Sequence, residues 1–145
     1  MLKSLEIKHF LKIAFFIPVV IYMSGCGRPD PSEWYSYRNR DRHPVSVRVV
    51  SAEILPGSET KDKIQLKVEW RNDDKEKIKI NDEYFSLNVS GVKLPPETFE
   101  DIELDPGQTV EKVYDFFVVK SFVDKAKYKL TLEDYVEFSV YPERK

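Results

Sequence analysis

In Lys63–Trp70, KIQLKVEW, apolar and polar residues alternate without a slip. Ile64, Leu66, Val68 and Trp70 fall on one side, and Lys63, Gln65, Lys67 and Glu69 on the other. A period of two fits a strand that is buried on one face and wet on the other. The pattern recurs along the chain. Val45–Leu55 is a β-branched run stopped by Pro56–Ser58, and Ile78–Ile80 resumes after the polar turn RNDDKEK. Phe85, Leu87 and Val89 alternate in YFSLNVSG, with Val92–Leu94 as a short continuation. Thr109–Val119 is apolar on both parities, which predicts a strand deep in the core. Tyr128, Leu130 and Leu132, then Val136, Phe138 and Val140, complete the set. Ser121–Ala126 has room for one helical turn. About seven strands with no long amphipathic helix predict an all-β fold, an antiparallel β-sandwich.

Composition agrees with a packed core. Aliphatic and aromatic residues make up 41% of the 145, too many for a disordered chain. Lys and Arg number 23 against 25 Asp and Glu, so no strong field favours nucleic acid. A single cysteine, Cys26, excludes an internal disulfide framework and a cysteine-based zinc cluster.

That cysteine closes a segment of a different kind. Lys3, Lys8 and Lys12 precede the apolar run Ile13–Met23, and Ser24 and Gly25 follow it. This is the layout of a secretory signal, and the run is too short to span a bilayer, which takes about 20 residues. Met23-Ser24-Gly25-Cys26 resembles the lipobox of bacterial lipoproteins. The resemblance implies cleavage between Gly25 and Cys26, a diacylglycerol on the Cys26 thiol, and acylation of the new amino group. Each buried methylene contributes about 0.8 kcal/mol, so two chains hold a soluble domain stably. The expected organisation is a signal peptide (1–25), a lipidated cysteine and tether (26–43), and a sandwich (44–145). The expected location is the bacterial cell envelope, on the outer membrane where there are two membranes and otherwise on the outer face of the plasma membrane. The processed chain holds 20 Lys and Arg against 24 Asp and Glu, so anchoring is expected from lipid and not from a polybasic patch.

In the tether, Arg38, Arg40 and Arg42 are offset by Asp30, Glu33 and Asp41. Trp34, Tyr35 and Tyr37 either rest at the membrane interface or fold back on the domain, the second being favoured.

Two motifs carry a second resemblance. Val68–Asn72 ends a strand with polar residues and Asn, and Leu104–Gly107 is an L-x-P-G turn ahead of a strand bearing Phe116. Together they resemble the telokin-like, immunoglobulin-fold domain of bacterial lipoproteins, a domain of unknown function. The resemblance covers most of Val45–Val119 and implies an immunoglobulin-like sandwich. It carries over no catalytic residue.

No constellation for chemistry stands out. His43 is the only histidine after Cys26 and sits beside Pro44, where an exposed loop residue is expected and not a catalytic base. Asp73, Asp74, Glu76, Asp82 and Glu83 form one acidic group, and Glu97, Glu100, Asp101, Glu103 and Asp105 another. Neither has a calcium-loop spacing, and solvated turns are the expected reading. The sequence therefore predicts no cofactor, no metal and no nucleic acid. It predicts a lipid-anchored, non-catalytic binding module whose partner is an envelope protein or polymer. The alternatives are a small-ligand or metal-binding envelope protein, and an envelope enzyme or regulator using carboxylates.

Overall fold

The computed structural model describes residues 33–81, 85–133 and 135–145. The signal segment, Met23–Gly25 and Cys26 lie outside the described residues, as do Asp82 and Glu83.

The described chain is all-β. Its strands in order are β1 (Tyr35–Arg38), β2 (Pro44–Pro56), β3 (Lys61–Asn72), β4 (Ile78–Ile80), β5 (Phe85–Val89) and β6 (Val92–Leu94). There follow β7 (Ile102–Leu104), β8 (Thr109–Val119), the single helical turn α1 (Lys120–Val123), β9 (Tyr128–Leu132), β10 (Val136–Val140) and β11 (Glu143–Arg144). All seven predicted strands are present. Sheet order is β1-β2-β3-β8 for the first layer, with β11 pairing β2, and β10-β9-β5-β6 for the second. A two-stranded ladder, β4-β7, stands beside them. Every pairing is antiparallel except β11 on β2.

The alternation sorts residues as the period of two dictates. Ile64, Leu66, Val68 and Trp70 of β3 are fully buried, and Phe85, Leu87, Val89, Leu130 and Leu132 face them from the second sheet. Aromatic rings fill the middle of the layer. Phe85 lies 4.4 Å from Tyr114 and 5.7 Å edge-on from Trp70, and the Trp70 indole N–H donates to the Tyr114 hydroxyl at 3.1 Å. A buried indole N–H needs such a partner. The outer face of β3 is laddered by charge: Arg48 to Glu69 at 2.5 Å, Lys67 to Glu111 at 3.9 Å, and Gln65 to Asp115 at 3.0 Å.

Three differences from the sequence reading have physical causes. Strand β8 is an edge strand, not a central one: Val113 and Val119 are half exposed while Tyr114, Phe116 and Val118 are buried. The loop before it protects part of that edge, since the Glu97 N–H donates to the Asp115 carbonyl at 2.8 Å. Val92–Leu94 does not continue β5 but returns along it, because Ser90 (φ 47) and Gly91 (φ 95) form a two-residue turn with both φ positive. The connection before the Asp105–Gln108 turn contains β7, whose Ile102 and Leu104 pack against the core.

Two more strands come from segments without a strand signal. β1 lies ahead of Pro44 and pairs Tyr35 with Val47 through Arg38 with Pro44. Tyr35 stacks on Phe138 with centroids 4.2 Å apart, and the Trp34 ring meets the Arg48 and Arg71 guanidinium groups, at 4.7 and 4.5 Å. The aromatic residues of the tether thus fold back on the domain. β11 closes the described chain beside Glu53 and Ile54.

Candidate functional site

At the α1 end of the sandwich three separate segments enclose a groove of about 520 Å³. Its floor is apolar. Ile54 comes from the end of β2, Val123 from α1, Tyr128 from β9 and Val140 from β10, all buried. The floor is locked by the Tyr128 hydroxyl, which donates to the Val123 carbonyl at 2.6 Å. Burial pushes the Tyr128 phenol up to about 12, helped by the Asp124 charge and opposed by Arg144.

The rim is charged. Lys127, Lys129 and Arg144 line it against a single acid, Asp124. Arg144 is held from two sides, by Asp124 at 2.8 Å and by Asp62 at 3.3 Å. Those carboxylates, Asp124 foremost, raise the guanidinium above its already high ordinary value. Lys129 pairs with Glu137 at 2.8 Å. Lys127 is exposed, and its ammonium enters no ion pair among the described residues; its backbone is fixed by Ser90, whose hydroxyl accepts from the Lys127 N–H at 2.9 Å. Tyr141 and Pro142 form one wall, with Tyr141 40% exposed. An apolar floor below a rim where the Lys127 ammonium stands outside the ion pairs suits a ligand that is anionic at one end and greasy at the other.

No sequence motif announces this groove. Its residues come from Ile54, from 123–129 and from 139–144, and only the return of β10 and β11 along the older strands brings them together.

The sequence-predicted candidates gather instead at the opposite end. His43 is a quarter exposed and its Nδ1 lies 2.5 Å from an Asp74 carboxylate oxygen. That hydrogen bond holds the partly buried Asp74 below the usual carboxylate range. The neighbouring Ser46 hydroxyl is engaged elsewhere, donating to Asp73, which also takes the Arg71 guanidinium at 2.6 Å. Histidine and serine therefore belong to separate pairs, and no charge relay joins them.

The motifs of the immunoglobulin-type resemblance meet here too. Asn72 is fully buried; its side-chain amide donates to the Leu104 carbonyl at 3.0 Å and to the Glu76 carbonyl at 2.7 Å. The Gly107 N–H returns to the Asn72 carbonyl at 2.9 Å. The strand end and the L-x-P-G turn are thus two halves of one hydrogen-bonded corner.

Part of the second acidic group is spent on structure. Glu103 pairs with Lys77 at 3.0 Å and Asp101 with Lys79 at 2.9 Å, across and beside the β4-β7 ladder. Both lysines are held above their ordinary values by those carboxylates. Among the described residues no group of three or more His, Cys, Asp or Glu is arranged to hold a metal ion. No helix among them is long and apolar enough to cross a membrane.

Comparison with known proteins finds no matching family model and no matching curated protein. Two solved structures are similar in fold. One, from Bacillus subtilis subsp. subtilis str. 168, is described as a "putative lipoprotein (ycdA)"; it shares 18% identity at a TM-score of 0.57, over 77% of this chain and 39% of that one. This chain therefore spans well under half the length of that neighbour. The other is a conserved hypothetical protein from Bacillus anthracis, with 11% identity and a TM-score of 0.52, over 76% of this chain and 93% of that one. The fold thus occurs in bacterial proteins.

Proposed function

We propose that this chain is a lipid-anchored protein of the bacterial cell envelope that acts as a non-catalytic binding module. The observation that carries the reading is the order of its parts: a basic start, an apolar run, Met23-Ser24-Gly25-Cys26, and then a sandwich that needs no other cysteine. Diacylglycerol on Cys26 anchors it, and the sandwich is of the immunoglobulin-like kind. The fold neighbour described as a "putative lipoprotein" supports the anchoring. Support for binding over catalysis comes from the separate engagement of His43 and Ser46, and from the groove with its apolar floor and basic rim. The partner is an envelope component, protein or polymer.

Mass spectrometry of the N-terminal peptide from cell membranes tests the anchor. The expected product begins at Cys26 and carries diacylglycerol, and Cys26→Ser moves the protein from the membrane to the soluble fraction. An unmodified thiol, or a wild-type chain recovered in the aqueous phase, would sink the reading.

The groove favours a second reading, a small-ligand protein, because about 520 Å³ is the volume of a ligand site. Soaking with a panel of amphiphilic anions, read by shifts of Tyr128 and Val140 resonances, separates the two. Saturable binding of a monomeric compound favours the small-ligand reading.

A further inference from the structure

The two ends of the sandwich differ in charge. Segments 56–61, 90–93, 119–127 and 141–145, at the groove end, carry seven Lys or Arg against three Asp or Glu, and Asp62 and Glu53 just outside them answer Arg144 and Lys145. At the other end, segments 39–43, 73–77 and 105–108 with the described residues of 133–135 carry four against six. The balanced composition hides this separation, because the sequence deals the charges out evenly and the strand reversals sort them.

The basic end is also where apolar side chains stand out. Val92 (61% exposed), Val119 (50%), Phe122 (42%) and Tyr141 (40%) all project there, on three segments, against Tyr135 alone at the other end. Lys61, Lys120, Lys125 and Lys127 lie among them and enter no ion pair among the described residues. Exposed apolar residues ringed by lysines are the surface chemistry of proteins that rest on anionic bilayers: the rings and branched chains enter the headgroup layer and the ammonium groups meet its phosphates.

The path of the chain agrees. β1 runs from the level of Val47 down to that of Pro44, so it is entered from the side of the groove end. From Glu33 back to Cys26 is seven residues, which reach about 25 Å at most when fully extended. A module on so short a lead lies against the surface that holds it.

We infer that the groove end, with Phe122 and Val119 at its tip and Lys120, Lys125 and Lys127 around them, docks on the anionic phospholipid headgroups of the bilayer that carries the anchor. This rests on the anchored reading and names the occupant of its basic end. Docking fixes which way the sandwich stands and turns its acidic end, with Asp73, Asp74 and Asp105, outward.

The test uses the full processed chain isolated from a bacterial envelope and mixed with vesicles of phosphatidylcholine, pure or with about 30% phosphatidylglycerol. Flotation reports the anchor. Labelling by a lysine-acylating reagent that does not cross bilayers, read by mass spectrometry, reports the face. The expected result is flotation with both vesicles. On the anionic ones only, labelling of Lys61, Lys120, Lys125 and Lys127 falls at least fivefold relative to detergent solution, the factor one charge contributes at such a surface, while Lys75 is unchanged. The triple variant K120E/K125E/K127E still floats, and its Lys61 regains the detergent level of labelling. Flotation on both with equal labelling at both ends overturns the docking and leaves the anchor standing. So does protection that persists on pure phosphatidylcholine, which assigns the face to a different occupant. Flotation on anionic vesicles alone, with the same lysines protected, supports the docking and sinks the anchor. Flotation on neither sinks both.

Discussion

Asn72 shows how one side chain can tie an end of the fold together. It is fully buried, and its amide serves the carbonyls of Glu76 and Leu104 while its own side-chain oxygen takes the Asp74 N–H at 2.8 Å. Truncation to alanine leaves the Leu104 carbonyl without its side-chain partner in a buried setting, and an unmet buried polar group costs about 1–3 kcal/mol. Asn72→Ala is expected to lose about 3 kcal/mol in urea unfolding with the slope unchanged. A loss below about 0.5 kcal/mol would show that the corner is held by its backbone bonds alone. The motif containing this residue was legible in the sequence as a strand end, but its partners were not, since Leu104 lies 32 residues away. His43 was legible only as a loop residue. Its pairing with Asp74 depends on two turns meeting at one end of the sandwich, and no local pattern encodes that.

Among the elements, strands with an apolar alternation were readable, the three-residue β4 included, and β1, β7 and β11 were not. β2, β3 and β8 run 13, 12 and 11 residues, enough for alternation to stand out from chance. β1, β7 and β11 have four, three and two residues, and take their conformation from the strand they pair with. The burial of β8 was misjudged for a related reason. Both parities are apolar, and composition alone does not say that one of them faces outward at a sheet edge. The turn before β8 was readable because its chemistry is local: Pro106 presets one φ, and Gly107 takes φ +74. The space around a Cβ at Gly107 is open, so Gly107→Ala isolates the backbone term. It is expected to cost about 1–2 kcal/mol, seen as a fall in Tm of roughly 5 °C. An unchanged Tm would mean that the turn relaxes freely.

At the scale of the molecule, a core built around phenols makes the fold sensitive to alkali. Burial pushes Tyr114 up to about 12, its hydrogen bond from Trp70 opposing, and Tyr128 likewise to about 12; burial raises Tyr37 as well, with the Glu133 charge adding to it. Below pH 10, the ordinary value of a phenol, both folded and unfolded chains keep these protons and the stability is fully present. As pH climbs from 10 toward 12 the unfolded chain releases them first, so stability drains away across that window. Phenolate absorbance and loss of near-ultraviolet dichroism are expected to rise together there; phenolate signal from Tyr37, Tyr114 and Tyr128 while the fold persists would contradict it. The same molecule also has a mechanical grain. Four residues of β1 lie along β2, with Tyr35 stacked on Phe138 and Trp34 in contact with two arginines. On the anchored reading proposed above, drag on the module is transmitted through that strand along its own axis. A load in that direction shears all its rungs together instead of peeling them singly, so β1 acts as the fastening, and the connection between Arg38 and Pro44 carries no load until the fastening slips.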